Sequence, residues 1–186
     1  MAATESAMLA LGTPAPAFSL KDVRDGKVYS VEPLTGPKGL LVMFICAHCP
    51  FVKHVEQELA RLGRDYRNSG IGIAAISSND ADNYPDDAPA SLAGQARSAG
   101  FVFPYLYDET QDVARAYDTT CTPDFFLFDS QRKLVYRGQL DGSRPGNGVP
   151  VTGRDLRAAI DAVAAGNPVP RDQKPSIGCN IKWKRA

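Results

Sequence analysis

Two stretches of this 186-residue chain are apolar throughout and bounded by turn residues. They are Gly39-Leu40-Leu41-Val42-Met43-Phe44-Ile45 and Ile71-Gly72-Ile73-Ala74-Ala75-Ile76. Runs of this kind predict strands buried on both faces, the central strands of an α/β sheet. Between them Val52, Val55, Leu59, Leu62 and Tyr66 recur at spacings of 3, 4, 3 and 4, one face of a helix ending near Asn68-Ser69-Gly70. Pro50 suits the first turn of that helix, where a missing N–H costs nothing.

The flanking segments extend the same grammar. Phe18 and Leu20 alternate ahead of Asp25-Gly26, and Lys27-Val28-Tyr29-Ser30-Val31 follows, a hairpin signal. Pro89 starts a helix ending near Gly100, Tyr105-Leu106-Tyr107 is a short strand, and Thr110 and Asp112 open a helix carrying Val113, Ala116 and Tyr117. Asp124 to Asp129 and Lys133 to Gly138, joined by Ser130-Gln131-Arg132, form an antiparallel pair. Thr152 and Asp155 have capping-box spacing ahead of a last helix with Leu156, Ala159, Ile160 and Val163 facing in. Residues 1–11 read as a frayed start, and residues 168–186 as an irregular tail. The predicted whole is one α/β domain over residues 1–186: a central mixed sheet, helices on both faces and an N-terminal β-hairpin.

Composition narrows the function classes. Lys+Arg and Asp+Glu are 21 each, so the formal charge is zero and no field holds a phosphate backbone or anionic lipid. Nucleic acid and membrane are therefore not expected partners. The longest apolar run falls well short of the ~20 residues that span a bilayer. Met1 to Leu11 carries no Lys or Arg, unlike the basic start of a secretory signal. A cytoplasmic location is the expectation, and four cysteines are too few for a disulfide-stapled secreted scaffold.

The chemistry is carried by Cys46-Ala47-His48-Cys49-Pro50, at the junction of the first buried strand and its helix. A CxxC spacing lets two sulfurs meet in a small ring, and a helix N-terminus favours thiolate, the nucleophilic form. His48 can add a positive charge or a hydrogen bond to the Cys46 sulfur. Cys46 is thus expected to be the exposed, attacking thiol, and Cys49, inside the first turn, the resolving one.

These residues, with others along the chain, resemble the thioredoxin superfamily, and within it the redoxin or AhpC/TSA branch, in particular peroxiredoxin-like members with a CxxC. The matching motifs are Gly12 to Leu20, Asp25-Gly26-Lys27, Leu41 to Pro50, Ala116-Tyr117 and Thr122-Pro123-Asp124 through Asp129, spanning about residues 11 to 165. The resemblance implies a thioredoxin-like fold and a cis peptide before Pro123, with Thr122 and Pro123 packed against the CxxC. Departures are specific. Peroxiredoxins carry Thr where Cys46 stands, and no Arg occurs between Thr119 and Asp129 to complete a peroxide site. Thioredoxins place a buried acid beneath the CxxC where this chain has Met43 and Gly72, so Cys49 lacks an evident proton relay. His48 resembles the histidine of CxHC oxidants, which suggests a couple less reducing than thioredoxin's.

The expected function is a thiol–disulfide oxidoreductase cycling Cys46 and Cys49 between dithiol and disulfide. Its partners would be protein or small-molecule disulfides or peroxides, and a thiol electron donor. The alternatives are a thiol peroxidase with Cys49 peroxidatic and Cys46 resolving, and a soft-metal carrier, for instance for Cu(I), using Cys121 or Cys179 as a further ligand. The oxidoreductase needs no cofactor and no resident metal. Cys121 and Cys179, the pair left over once Cys46 joins Cys49, read first as unpaired buried cysteines, with auxiliary thiols in redox partnership with the active site, or metal ligands, as the alternatives. The acidic loop of Asp80, Asp82, Asp86 and Asp87 fits no calcium template and is expected to be solvated. His54 reads as a surface histidine, Trp183 as a tail residue, and Gly142 to Gly148 as a flexible loop near the site.

Overall fold

The computed structural model describes residues 3–185. Its strands are β1 (Ala3–Glu5), β2 (Ser19–Asp22), β3 (Val28–Ser30), β4 (Gly39–Phe44), β5 (Ile71–Ser77), β6 (Tyr105–Tyr107), β7 (Cys121–Thr122), β8 (Asp124–Asp129), β9 (Leu134–Gly138) and β10 (Ile177–Asn180). The helices are α1 (Val31–Leu34), α2 (Pro50–Asp65), α3 (Pro89–Ala99), α4 (Asp112–Ala116) and α5 (Arg154–Ala164).

Seven strands form one mixed sheet in the order β3-β2-β6-β5-β4-β8-β9. β4 pairs parallel with β5 and antiparallel with β8, so it sits mid-sheet and every one of its residues is buried. This is why it reads as an unbroken apolar run. Alternate residues of β4 feed two cores. Leu41 and Met43 pack with α2, α3 and α5 side chains such as Leu59, Leu92 and Ile160, while Leu40, Val42 and Phe44 pack with Val31, Val113 and Tyr117 across the sheet. Helices therefore cover both faces of a thioredoxin-like sheet.

The ends of the chain depart from the sequence reading. Residues 3–5 are not frayed, and the tail, irregular over 168–176 and 181–185, carries a strand between: β1, β10 and β7 form a second, three-stranded antiparallel sheet. Ala3 lies opposite Cys179, and Cys179 opposite Thr122. These strands of two to four residues carry no apolar periodicity legible in the sequence, and only the partner strand satisfies their backbone. Beyond β10, Ile181 N–H donates to Thr120 O at 3.1 Å, and the buried Gln111 side chain donates to Lys182 O at 2.8 Å. The capping box at α5 does not form. Gly153 is the N-cap without a side-chain bond, and the Asp141 carboxylate instead accepts the Thr152 and Gly153 N–H groups at 2.7 and 2.6 Å.

Candidate active site

Cys46 follows the end of β4, and Cys49 is the N-cap of α2 with Pro50 at the first helical position. The Thr122–Pro123 peptide is cis and lies against both cysteines. Cys46 Sγ is 3.3 Å from Thr122 Oγ1, and the Cys49 thiol lies 3.3 Å from Thr122 O. The loop before β8 thus contacts each sulfur through one residue.

Cys46 is not the exposed thiol the sequence suggested: both Cys46 and Cys49 are fully buried. Nor does His48 serve the Cys46 sulfur. Its Nδ1 pairs with Asp87, and its ring stacks on Tyr84 with centroids 5.6 Å apart. Asp87, expected in a solvated loop, is fully buried. Its carboxylate accepts the Ala47 N–H at 2.8 Å, the His48 N–H at 3.0 Å and Asn79 Nδ2 at 2.8 Å. Burial opposes ionisation of Asp87, but the bonds from His48 and Asn79 outweigh it and hold the carboxyl below the usual range. Asp80 is also buried, with its side chain turned to Asn83. Asp82 and Asp86 are exposed as expected, so the loop is solvated except where the fold supplies donors to Asp80 and Asp87.

Cys46, His48 and Asp87 place one potential metal-ligand atom each within 4.8 Å of one another. The Asp87 oxygens, however, already serve four N–H donors, which makes this cluster a hub fixing the CxxC loop. Gln95, which the sequence did not flag, adds to that loop by donating to Cys46 O at 3.2 Å.

Thiolate chemistry favours Cys49. A hydrogen bond from the Cys46 thiol, helped by the Cys179 thiol and the Val52 N–H, outweighs burial and lowers the Cys49 pKa to about 5. Burial first, then the Cys49 sulfur and the Asp87 carboxylate, push Cys46 well above the ordinary thiol value. The direction follows from placement. Cys49 sits where the free N–H groups of α2 point, and Cys46 lies two residues before His48, the partner of Asp87.

The auxiliary thiols separate. Cys179 and Cys121 are both buried and not paired with each other, as the first reading of the sequence has it. Cys179 stands opposite Thr122 and Cys121 opposite Asn180, neighbouring positions whose side chains leave opposite faces. Cys179 Sγ lies 2.8 Å from Cys49 Sγ, whereas Cys121 is held by burial well above its ordinary pKa and faces Pro123 O at 3.9 Å. Immediately after the cis proline, Asp124 is fully buried, with Ser6 Oγ and Thr119 Oγ1 each donating to Oδ2 at 3.1 Å. Burial dominates there and raises its pKa to about 7. His54 is bonded to Ser143 Oγ at 2.7 Å, and Arg115 lies 4.9 Å over the Trp183 ring.

A mixed sheet with two cysteines at a strand–helix junction, facing a cis-proline loop, defines a thioredoxin-fold dithiol protein. Within that class the chain belongs to the AhpC/TSA family, which matches residues 11–137. It is 27% identical over 124 residues to the thiol-disulfide oxidoreductase ResA of Bacillus subtilis (strain 168), covering 67% of this chain and 64% of that protein's length. A crystal structure of an uncharacterized conserved protein from Geobacillus kaustophilus superposes with a TM-score of 0.98 at 56% identity, covering 100% of this chain and 98% of that one. The fold is shared with a thiol:disulfide interchange protein of the thioredoxin family from Chlorobium tepidum TLS, at a TM-score of 0.64 and 20% identity over 83% of this chain and 98% of that one.

Proposed function

We propose that the protein is a thiol–disulfide oxidoreductase in which Cys46 and Cys49 cycle between dithiol and disulfide, with Cys49 as the attacking thiolate. The observation that carries this reading is the pair at the β4–α2 junction, with Thr122 of the cis-proline loop touching both sulfurs. Attack by Cys49 on a substrate disulfide releases one substrate sulfur as thiolate and leaves a mixed disulfide on Cys49. The released thiolate takes the Cys46 proton. Cys46 then attacks Cys49 Sγ, the Cys46–Cys49 bond forms, and the second substrate sulfur departs. Two electrons pass to the substrate, and a thiol donor restores the dithiol. Protein or small-molecule disulfides are the substrate class, and the cytoplasm, a reducing compartment, suits such a cycle.

The likeness to ResA supports the reaction class. The order of attack is the reverse of the one CxxC spacing suggests, because His48 is committed to Asp87. Disulfide mapping by mass spectrometry after mild oxidation tests the couple, with a Cys46–Cys49 link as the expected product and its absence overturning the reading. Cys49→Ser should abolish disulfide reductase activity and trap no substrate. Covalent trapping on Cys46 in that variant would reverse the assigned order.

The low Cys49 pKa, just ahead of Pro50, also favours a second reading, a thiol peroxidase with Cys49 peroxidatic. The hydrogen bonds that lower Cys49 come from thiols and backbone N–H groups, with no guanidinium among them. Peroxide should therefore oxidise it at the rate of an ordinary low-pKa thiol. A rate constant in the peroxiredoxin range would make the peroxidase the better description.

A further inference from the structure

The third thiol at the site comes from the far end of the sequence. Cys179 Sγ is 2.8 Å from Cys49 Sγ, within ~0.8 Å of the ~2.05 Å length of a disulfide. The contact is built in by the strand that carries it. Residue 178 is glycine, and a Cβ there would fall 1.9 Å from Thr122 O, so β10 can press onto the cis-proline loop only without a side chain at that position. The segment is fixed on its other side too. Lys182 N–H donates to Asn79 Oδ1 at 2.8 Å, and Asn79 Nδ2 donates to the same Asp87 that pairs with His48. The strand bearing Cys179 and the loop bearing Cys46 are thus tied to one carboxylate.

We propose that Cys179 is a second resolving thiol, so that Cys49 alternates between two disulfides, Cys46–Cys49 and Cys49–Cys179. The inference rests on the Cys46–Cys49 couple proposed above and extends it. Starting from the Cys46–Cys49 disulfide, the Cys179 sulfur attacks Cys49 Sγ. The Cys49–Cys179 bond forms, the Cys46–Cys49 bond breaks, and Cys46 leaves as thiolate and takes the proton Cys179 gave up. No electrons enter or leave, since one disulfide is exchanged for another and the oxidising equivalent came from the substrate. In the reduced site burial and the Cys49 thiolate hold the Cys179 thiol up to about 12. Oxidation of Cys49 removes that negative charge and frees Cys179 to react. Burial keeps Cys46 strongly basic, which suits it to accept the proton. The exchange moves the disulfide onto the strand β10 and returns a free thiol at Cys46.

The test uses the full chain, equilibrated with oxidised glutathione, acid-quenched, alkylated and mapped by mass spectrometry. Wild type should yield both Cys46–Cys49 and Cys49–Cys179 peptides. Cys46→Ser should still lose two titratable thiols by joining Cys49 to Cys179, and Cys179→Ser should convert all intramolecular disulfide to Cys46–Cys49. Cys46→Ser/Cys179→Ser should form no intramolecular disulfide, which also excludes Cys121. If Cys46→Ser keeps its thiols while wild type forms only Cys46–Cys49, the Cys179 proposal is overturned and the oxidoreductase reading stands. If Cys179→Ser forms no intramolecular disulfide while wild type forms only Cys49–Cys179, the Cys46–Cys49 couple fails and the exchange fails with it, leaving Cys179 as the sole resolving thiol.

Discussion

The sharpest consequence of the site's electrostatics is the pH profile of alkylation at each cysteine. The perturbation is pH alone, applied to the reduced wild-type protein with limiting iodoacetamide and read cysteine by cysteine in digested peptides. With a pKa of about 5, Cys49 is ~90% thiolate at pH 6 and nearly all thiolate at pH 8, so its labelling rate changes by only about a tenth between them. An ordinary thiol of pKa ~8.5 goes from ~24% to ~0.3% thiolate over the same interval, a fall of roughly 75-fold. The absolute rate is a poor guide. A depression of ~3.5 units at a Brønsted slope of ~0.4–0.5 lowers intrinsic nucleophilicity roughly 25- to 55-fold and largely cancels the gain in thiolate at neutral pH. Burial of both sulfurs multiplies every rate by the same opening equilibrium, which shifts the level and leaves the shape unchanged. Cys49 labelling should therefore be flat from pH 9 to 6 and half-maximal near pH 5, with Cys46 and Cys179 lagging until well above neutrality. A Cys49 profile with its midpoint near 8.5, or Cys46 labelled ahead of Cys49 at pH 6, would refute the reasoning and restore the order that spacing alone suggests.

Two further outcomes follow from the buried carboxyls. Asp124 holds its proton to about 7 in the fold but releases it near 4 when unfolded. Stability should therefore fall by about 3 kcal/mol between pH 5 and 8 through this group, and Asp124→Asn should remove most of that slope in urea titrations. Equal slopes for the two proteins would show that burial does not control this carboxyl. Asp87→Ala strands the Ala47, His48 and Asn79 donors in a buried site, at about 1–3 kcal/mol each before relaxation. Its urea midpoint should drop accordingly, and Asp87→Asn, which removes a charge that raises Cys46, should move Cys46 alkylation to lower pH. An unchanged Cys46 profile in Asp87→Asn would remove the carboxylate from the site's electrostatics.

Much of the scaffold was legible because it follows short-range rules. The apolar runs became β4 and β5, the 3-4-3-4 stripe became the buried face of α2, and Asp25-Gly26 became the β2–β3 turn. The CxxC–Pro junction was likewise readable, since strand end, thiol pair and helix start are adjacent in sequence. The hydrogen-bond partner of the histidine between the thiols was not. His48 stands between the cysteines, but the carboxylate that claims it comes from Asp87, in the turn that precedes α3, and residue 87 carries no local mark of burial.

Cys179 is the clearest case of what tertiary structure alone decides. It lies 130 positions from Cys49 in a four-residue strand with no periodicity to betray it, and the chain's first strand is its neighbour on the other side. Hydrophobic pattern and turn chemistry act over a few residues and so can be read from the sequence. Hydrogen bonds, burial and sulfur contacts form between whatever segments the packed sheet brings together, so the partner of a buried Asp or thiol is set by strand order rather than by its neighbours in the chain.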